Sequence, residues 1–169
     1  MRSKFAIAGH PIHPALIALP IGLFIWSLAS DIIYLATDRD LMWYDIAFWT
    51  GIAAIVTALV AALPGFGDYI TLASKTEARE MATAHMVLNL IVVGLFVVAM
   101  LLMLDEGATD GTRLGLVVAF HAVGVMLLAV SGWLGGHMVY RYHLAVDPDD
   151  ADLEREEHRR HDRPQLSPR

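Results

Sequence analysis

Two histidines stand beside two prolines at the start of a long apolar stretch. The segment reads Gly9-His10-Pro11-Ile12-His13-Pro14, and an apolar run follows over residues 15–36. Proline is tolerated in the first turn of a helix, where its missing N–H is not needed, so Pro14 is predicted as the first helical residue. Pro11 holds His10 in an extended conformation. The segment therefore presents two imidazole ligands at the start of a helix.

Two further histidines, His85 and His137, lie near one end of later apolar segments. With a helix rise of about 1.5 Å per residue, all four are predicted near the same membrane interface. They come from three different helices, and imidazole binds haem iron, zinc and copper. Facing histidines are one way in which a helical bundle holds haem b. We predict His13 and His85 as the ligands of haem or another metal, with His10 and His137 as alternates.

A simpler interpretation of these histidines stays open. Histidines at membrane interfaces often serve only as hydrogen-bonding groups. The sequence contains no dedicated zinc motif such as His-Glu-x-x-His. The convergence of imidazoles therefore indicates a metal or haem site without identifying the metal.

A second candidate site is the pair Asp31 and His121, inside the first and fourth apolar segments. Their predicted depths agree to within about one helical turn. A carboxylate inside a membrane is costly, and a hydrogen bond to His121 would reduce that cost. The pair fits a proton relay, a ligand with its supporting carboxylate, or a structural contact between the first and fourth helices. Asn89, one turn after His85, completes the predicted polar core.

The segments that position these residues identify a membrane protein. The chain has 169 residues, of which 56% are hydrophobic and 18% charged, and it has no cysteine. A soluble domain of this length carries more charge. A membrane-spanning helix needs about 20 predominantly apolar residues. The sequence therefore predicts an all-α, four-helix membrane bundle over residues 1–145. Its helices are predicted near 14–36, 43–63, 75–104 and 113–142.

Lysine and arginine predict the orientation of this bundle, because cytoplasmic loops carry an excess of both. The N-terminus, the second loop and the C-terminal tail together hold ten of the twelve. The remaining two are Arg39 and Arg113. Both termini are therefore predicted in the cytoplasm, with the chain in a bacterial inner membrane. The charged residues 146–169 are predicted to form a disordered tail.

Proline, glycine and capping residues predict where the helices bend or end. Pro20 is predicted to bend the first helix or to loosen its hydrogen bonds. The segment 64–69, Pro-Gly-Phe-Gly-Asp-Tyr, is predicted as a turn that ends the second helix. Ser74-Lys75-Thr76-Glu77 matches a capping box, so the third helix is predicted to start near Lys75.

Five short pieces of this sequence together resemble a known family. They are Gly9-His10-Pro11-Ile12-His13-Pro14, Asp31-Ile32-Ile33-Tyr34, Gly67-Asp68-Tyr69, His85 and Gly132-Trp133-Leu134-Gly135-Gly136. The chain is similar, over about residues 5–145, to the bacterial family of predicted membrane proteins of unknown function with an N-terminal His-Pro-x-His-Pro signature. Some relatives resemble fusions to Rieske-type iron–sulfur domains, which implies electron transfer. Because this chain has no cysteine, the resemblance implies a separate protein as redox partner.

Two functions are compatible with these patterns. The first is a b-type haem or metal-binding subunit that exchanges electrons with a partner protein. The second is a non-enzymatic membrane partner or a small proton or ion transport module, with Asp31 and His121 as its polar core.

Other classes of function find less support in the sequence. No serine nucleophile elbow is present, and no independent catalytic activity is predicted. No basic patch with interleaved aromatic residues supports nucleic-acid binding. The expected surroundings are the lipid bilayer, and the small residues on the helices suit a homodimer as well as a compact monomer.

Overall fold

Four long helices make up nearly all of the described structure. The computed structural model describes residues 3–73, 76–104 and 111–144. The segments long and apolar enough to cross a membrane are Ile12–Ala36, Leu41–Thr71, Glu77–Met103 and Gly111–Tyr142. The prediction of an all-α, four-helix membrane bundle is therefore confirmed. The predicted tail, residues 146–169, lies outside the described residues.

A short hairpin precedes the first membrane helix. Strands β1 (Ala6–Ile7) and β2 (His10–Pro11) pair in antiparallel fashion. The two residues between them, Ala8 and Gly9, have positive φ angles of 50° and 81°. Two positive φ angles are what a two-residue turn between right-twisted strands requires. The hairpin keeps His10 extended, in agreement with its position before a proline.

The first membrane helix is interrupted once. Helices α1 (Ile12–Leu16) and α2 (Ala18–Ala36) are separated by a single residue. Buried Pro20 has no N–H to donate to the carbonyl one turn before it, which accounts for the interruption. The helix begins two residues before the predicted start. Pro14 is tolerated at its third position because the first four N–H groups have no partner within the helix.

Helix α3 (Leu41–Thr71) corrects the predicted end of the second membrane helix. It continues through Pro64 and the two glycines that follow, so the prediction of a turn over residues 64–69 is wrong. A proline inside a membrane helix is tolerated where neighbouring side chains satisfy the freed backbone groups. The carbonyl that loses its N–H partner at Pro64 is that of Val60. The adjacent carbonyl, that of Ala61, accepts a hydrogen bond from His13 of α1.

Helix α4 (Glu77–Met103) begins after Thr76, which takes the capping position. The predicted cap Ser74 and the predicted start Lys75 lie outside the described residues. The Thr76 hydroxyl accepts a hydrogen bond from the Arg79 N–H at 3.2 Å. The Arg79 guanidinium donates to the carbonyl oxygens of Tyr69 and Leu72 at 3.3 and 2.8 Å. It also lies over the Tyr69 ring, 4.4 Å from the centroid. Arg79 thus ties the start of α4 to the end of α3.

The membrane helices form a closed ring. Helix α5 (Gly111–Tyr142) packs on α4 and on α2, and α3 packs on the same two helices from the other side. We call the end of the bundle formed by residues 3–14, 65–73, 76–85 and 131–144 the terminal end. The opposite end, formed by residues 34–47, 100–104 and 111–117, is called the loop end. The middle of the bundle holds an apolar layer that consists of Phe24, Ala54, Val92, Phe96 and Leu128.

Candidate functional site

His13 lies in the first turn of α1 and is half-buried against α3. Its Nδ1 donates to the carbonyl oxygen of Ala61 at 2.8 Å. A carbonyl can only accept, so in the neutral ring Nδ1 carries the proton and Nε2 is the basic nitrogen. Gly65 provides the space, because a Cβ at this position would come within 2.8 Å of His13 Nδ1. The close approach of α1 to α3 therefore depends on this glycine.

His85 lies on α4, where Ser131 of α5 holds its ring. Its Nδ1 donates to the carbonyl oxygen of Ser131 at 2.8 Å. Gly135, one turn further along α5, leaves room for the ring, because a Cβ there would come 3.3 Å from His85 Cε1. In the neutral ring Nε2 is again the basic nitrogen.

Asn89 adds a polar contact beside His85. Its amide nitrogen lies 2.7 Å from Ser131 Oγ, 2.8 Å from the His85 carbonyl oxygen and 3.2 Å from His85 Nε2. An amide nitrogen has two protons, and the two shorter contacts use both of them. Of the three acceptors, His85 Nε2 therefore has the weakest contact with the Asn89 amide, and its lone pair remains available to a metal.

The two imidazoles lie beside each other at the terminal end of the bundle. The ring centroids of His13 and His85 are 6.5 Å apart, and the ring planes are inclined by 86°. Each ring has its Nδ1 on a backbone carbonyl and its Nε2 as the basic nitrogen. The structure thus places side by side the two histidines that the sequence favours most as ligands of one metal. Their role as metal ligands stays a prediction.

The two alternate histidines are not joined to this pair. His10 is exposed on β2, and its Nδ1 lies 3.1 Å from the carbonyl oxygen of Ala8. His137 makes an edge contact with Tyr142, with 6.3 Å between ring centroids. Within residues 3–73, 76–104 and 111–144, no group of three or more histidine, aspartate or glutamate residues is arranged to hold a metal ion.

Asp31 and His121 form a hydrogen bond in the interior of the bundle. His121 Nδ1 lies 2.5 Å from Asp31 Oδ2, and the side chains are 0% and 1% exposed, respectively. The structure thus brings Asp31 of α2 and His121 of α5 together, and the function of the pair stays a prediction. The His121 ring stacks on Phe96 with centroids 4.3 Å apart, and Phe96 in turn packs on Phe24 at 4.4 Å. The pair thus borders the apolar layer.

The second polar atom of each partner is buried without a hydrogen-bond partner among the described residues. These atoms are Asp31 Oδ1 and His121 Nε2. The great majority of buried polar atoms in proteins are paired. With neutral His121, both atoms are acceptors, so the pair offers two acceptor positions in an apolar environment.

Asp68 has a role that sequence reasoning missed. Its carboxylate accepts hydrogen bonds from Ser3 Oγ at 2.7 and 2.9 Å and from the Lys4 N–H at 3.1 Å. One residue earlier, a Cβ on Gly67 would overlap the ring of Phe5. The available signal is Gly-Phe-Gly-Asp over residues 65–68, which supplies small residues and an acceptor but also has the composition of a turn. This end of α3 holds the N-terminal segment of the chain.

Comparison with known proteins agrees with this architecture. A family model described as "Predicted membrane protein (DUF2231)" matches residues 9–148. The chain belongs to this family. The membrane helices of the chain lie within the matched range and associate with the lipid bilayer, so the chain is a multi-pass membrane protein. No curated protein and no solved structure matches the chain.

Proposed function

We propose that this DUF2231 chain is an electron-transfer subunit that binds a redox-active metal, in the form of a b-type haem, between His13 and His85. The observation that carries the proposal is the shared geometry of the two rings. Both donate Nδ1–H to a backbone carbonyl, and their centroids are 6.5 Å apart.

The hydrogen bonds at Nδ1 prepare both rings for metal binding. Histidines that bind metals usually donate their other N–H to a carboxylate, a backbone carbonyl or water, which fixes the tautomer and raises the basicity of the ligand nitrogen. His13 obtains this partner from Ala61 of α3 and His85 from Ser131 of α5. Two helices that carry no ligand thus orient the two ligands.

The number and spacing of the ligands favour haem over a bare ion. His13 and His85 would hold a haem through their Nε2 atoms, and the porphyrin would supply the remaining ligands of the iron. Metal–imidazole bonds of about 2 Å put the centroids of two rings that share one metal about 6 Å apart. The observed separation of 6.5 Å lies close to this value. A bare ion would need further ligands, and the described residues arrange no third histidine or carboxylate beside the pair.

Helix α5 has an open glycine face beside the face whose residues Ser131 and Gly135 contact His85. Gly132 and Gly136 have nothing within 4 Å of where a Cβ would lie. These glycines suit the approach of a macrocycle to the helix backbone. A bound b-type haem supplies one-electron chemistry, and separate membrane or soluble proteins would act as electron donor and acceptor. The lysine and arginine distribution supports a bacterial inner membrane, with the terminal end of the bundle at the cytoplasmic side.

A reduced-minus-oxidised visible spectrum of the full chain, purified in detergent from cells supplied with a haem precursor, tests the proposal. A metal assay is made on the same sample. We expect a stoichiometric b-type haem spectrum that is lost in both His13→Ala and His85→Ala. His137→Ala is the matched control, because it removes a histidine from the same end of the bundle, and it should retain the spectrum.

Two results would contradict the proposal. One is a folded chain, verified by circular dichroism, that carries neither haem nor stoichiometric metal. The other is a haem spectrum that persists in both His13→Ala and His85→Ala. Stoichiometric zinc without haem would keep the binding site but exclude electron transfer, because zinc has no redox chemistry.

A further inference from the structure

We propose that Asp31 and His121 form a proton-exchange site inside the bundle, reached from the loop end and closed toward the terminal end by the apolar layer. The ligand is a proton. This second function does not depend on a metal at His13 and His85, because different helices carry the two pairs and no hydrogen bond or ring contact between described residues joins them.

The charge of the pair favours the uptake of one proton. With ionised Asp31 and neutral His121, the pair carries one negative charge in a site that is at most 1% exposed. An uncompensated charge in an apolar interior is costly. One added proton gives a neutral pair, either as imidazolium and carboxylate or as imidazole and carboxylic acid. Only an N–H or O–H bond forms or breaks in the exchange, and water supplies or accepts the proton.

The two buried atoms without a partner provide the positions for exchange. A purely structural contact needs only the bond between His121 Nδ1 and Asp31 Oδ2. Asp31 Oδ1 and His121 Nε2 lie in the same apolar environment with no hydrogen-bond partner among the described residues. Each is the second heteroatom of an ionisable group, so each can take up or release a proton while the first bond stays in place.

The groups around the pair define the side from which the proton comes. Toward the loop end, α2 contributes buried Tyr34, and α3 contributes Tyr44, whose ring lies 5.7 Å from that of Tyr34. On α5, Arg113 lies eight residues before His121 in the same direction. Helix α4 has no titratable residue between Asn89 and its end, and it faces the pair with Phe96.

The opposite direction is closed by hydrocarbon. The apolar layer lies between this pair and the terminal end, and Phe24 and Phe96 are 2% and 0% exposed. Proton movement needs a chain of polar groups or water, and neither is favoured in a closely packed apolar layer. A second buried apolar cluster, which includes Met103 and Val117, lies toward the loop end. The tyrosines on that side, rather than an open passage, therefore make the loop end the expected side of proton exchange.

Infrared difference spectra of the purified full chain test proton binding. Spectra are recorded at a series of pH values from about pH 4 to about pH 9, a range that includes the reference pKa of an isolated histidine side chain. We expect a carboxyl band that changes with pH, is absent in Asp31→Asn, and changes its midpoint in His121→Gln. Ser27→Ala, which removes another buried polar group from α2, should leave the band and its midpoint unchanged. A pair that shows no protonation change over this range would overturn the proposal and leave a structural contact.

Single cysteines test the side of access, because the chain has no cysteine of its own. Tyr34→Cys and Phe24→Cys replace equally buried aromatic residues of α2, one on each side of Asp31. A thiol reacts as the thiolate, which requires water. We expect a small charged methanethiosulfonate to modify Cys at position 34 severalfold faster than at position 24. Equal rates, or the reverse order, would overturn access from the loop end.

Discussion

His13 occupies the space that a side chain at position 65 would need. A Cβ on Gly65 would come within 2.8 Å of His13 Nδ1, while the carbonyl of Ala61, one turn earlier on α3, accepts the proton of that nitrogen. The same turn lies before Pro64, which has no N–H to offer to the preceding turn. Helix α3 thus supplies both the space and the acceptor that fix the tautomer of His13.

Gly65→Ala is therefore expected to displace His13. Extra atoms in a closely packed contact cost about 1–3 kcal/mol, so the free energy of unfolding should fall by that amount. Metal or haem affinity should fall by about tenfold or more, because the ligand loses its oriented position. Denaturant unfolding in detergent and spectral titration with haem measure the two effects. Gly22→Ala, at a position with nothing within 4 Å, should change neither quantity appreciably. Equal effects of both substitutions would contradict the role of Gly65.

The bond between Asp31 and His121 predicts strong coupling between the two positions. Removal of one partner leaves a buried polar group uncompensated, which costs about 3–5 kcal/mol, so Asp31→Ala and His121→Ala should each be strongly destabilising. The double variant should cost less than the sum of the two, by about 1–3 kcal/mol. Unfolding of all four proteins of this cycle in one detergent gives the coupling energy. Additive costs would show that the bond contributes no stability.

The sequence predicted those parts of the fold that follow from apolar length and helical periodicity. Four long apolar segments are sufficient to identify a membrane bundle, since the bilayer sets the length of a helix. The meeting of Asp31 with His121 was predictable because two costly polar groups at one depth have few alternative partners. His13 and His85 could be grouped in the same way, from residue type and depth.

Other features depend on contacts between distant residues and were missed. Pro64 and its glycines have the composition of a turn, but the α-helix continues through them, and His13 bonds to the carbonyl of Ala61 in the turn before the proline. Local propensity contains no information about such a partner. Asp68 likewise acts through Ser3, at a sequence separation of 65 residues. The carbonyl acceptors of the two histidines are backbone atoms, which no side-chain pattern reveals.

Ser131→Ala is expected to weaken the site at His85 without removing a ligand. Buried Ser131 Oγ accepts from the Asn89 amide at 2.7 Å, and an unmatched buried donor costs about 1–3 kcal/mol. The released N–H would turn to its remaining acceptor, His85 Nε2, and compete with a metal for the lone pair. Stability should therefore fall, and metal or haem affinity should fall with it.

Thr57→Ala provides the control for this substitution. The Thr57 hydroxyl bonds to the carbonyls of Ala53 and Ala54 in its own helix, at 2.7 and 3.1 Å, and not to either histidine. It should leave the spectral titration unchanged. If Ser131→Ala keeps full metal or haem affinity, the Asn89 N–H does not compete with a metal for His85 Nε2. If the free energy of unfolding is unchanged, the unmatched Asn89 donor carries no cost.

The bond between Asp68 and the N-terminal segment predicts how firmly residues 3–11 are held. Asp68→Ala removes the acceptor of Ser3 Oγ and of the Lys4 N–H, while Phe5 keeps its place beside Gly67. Local opening becomes easier when such bonds are lost, so amide hydrogen exchange in this segment should become about tenfold faster. The core of α4 should exchange at the wild-type rate. Asp45→Ala is the matched control, because it removes an exposed carboxylate near the other end of α3. It should leave amide hydrogen exchange in residues 3–11 unchanged. If Asp68→Ala leaves exchange in the segment unchanged, the packing of Phe5 rather than the carboxylate holds the N-terminus in place.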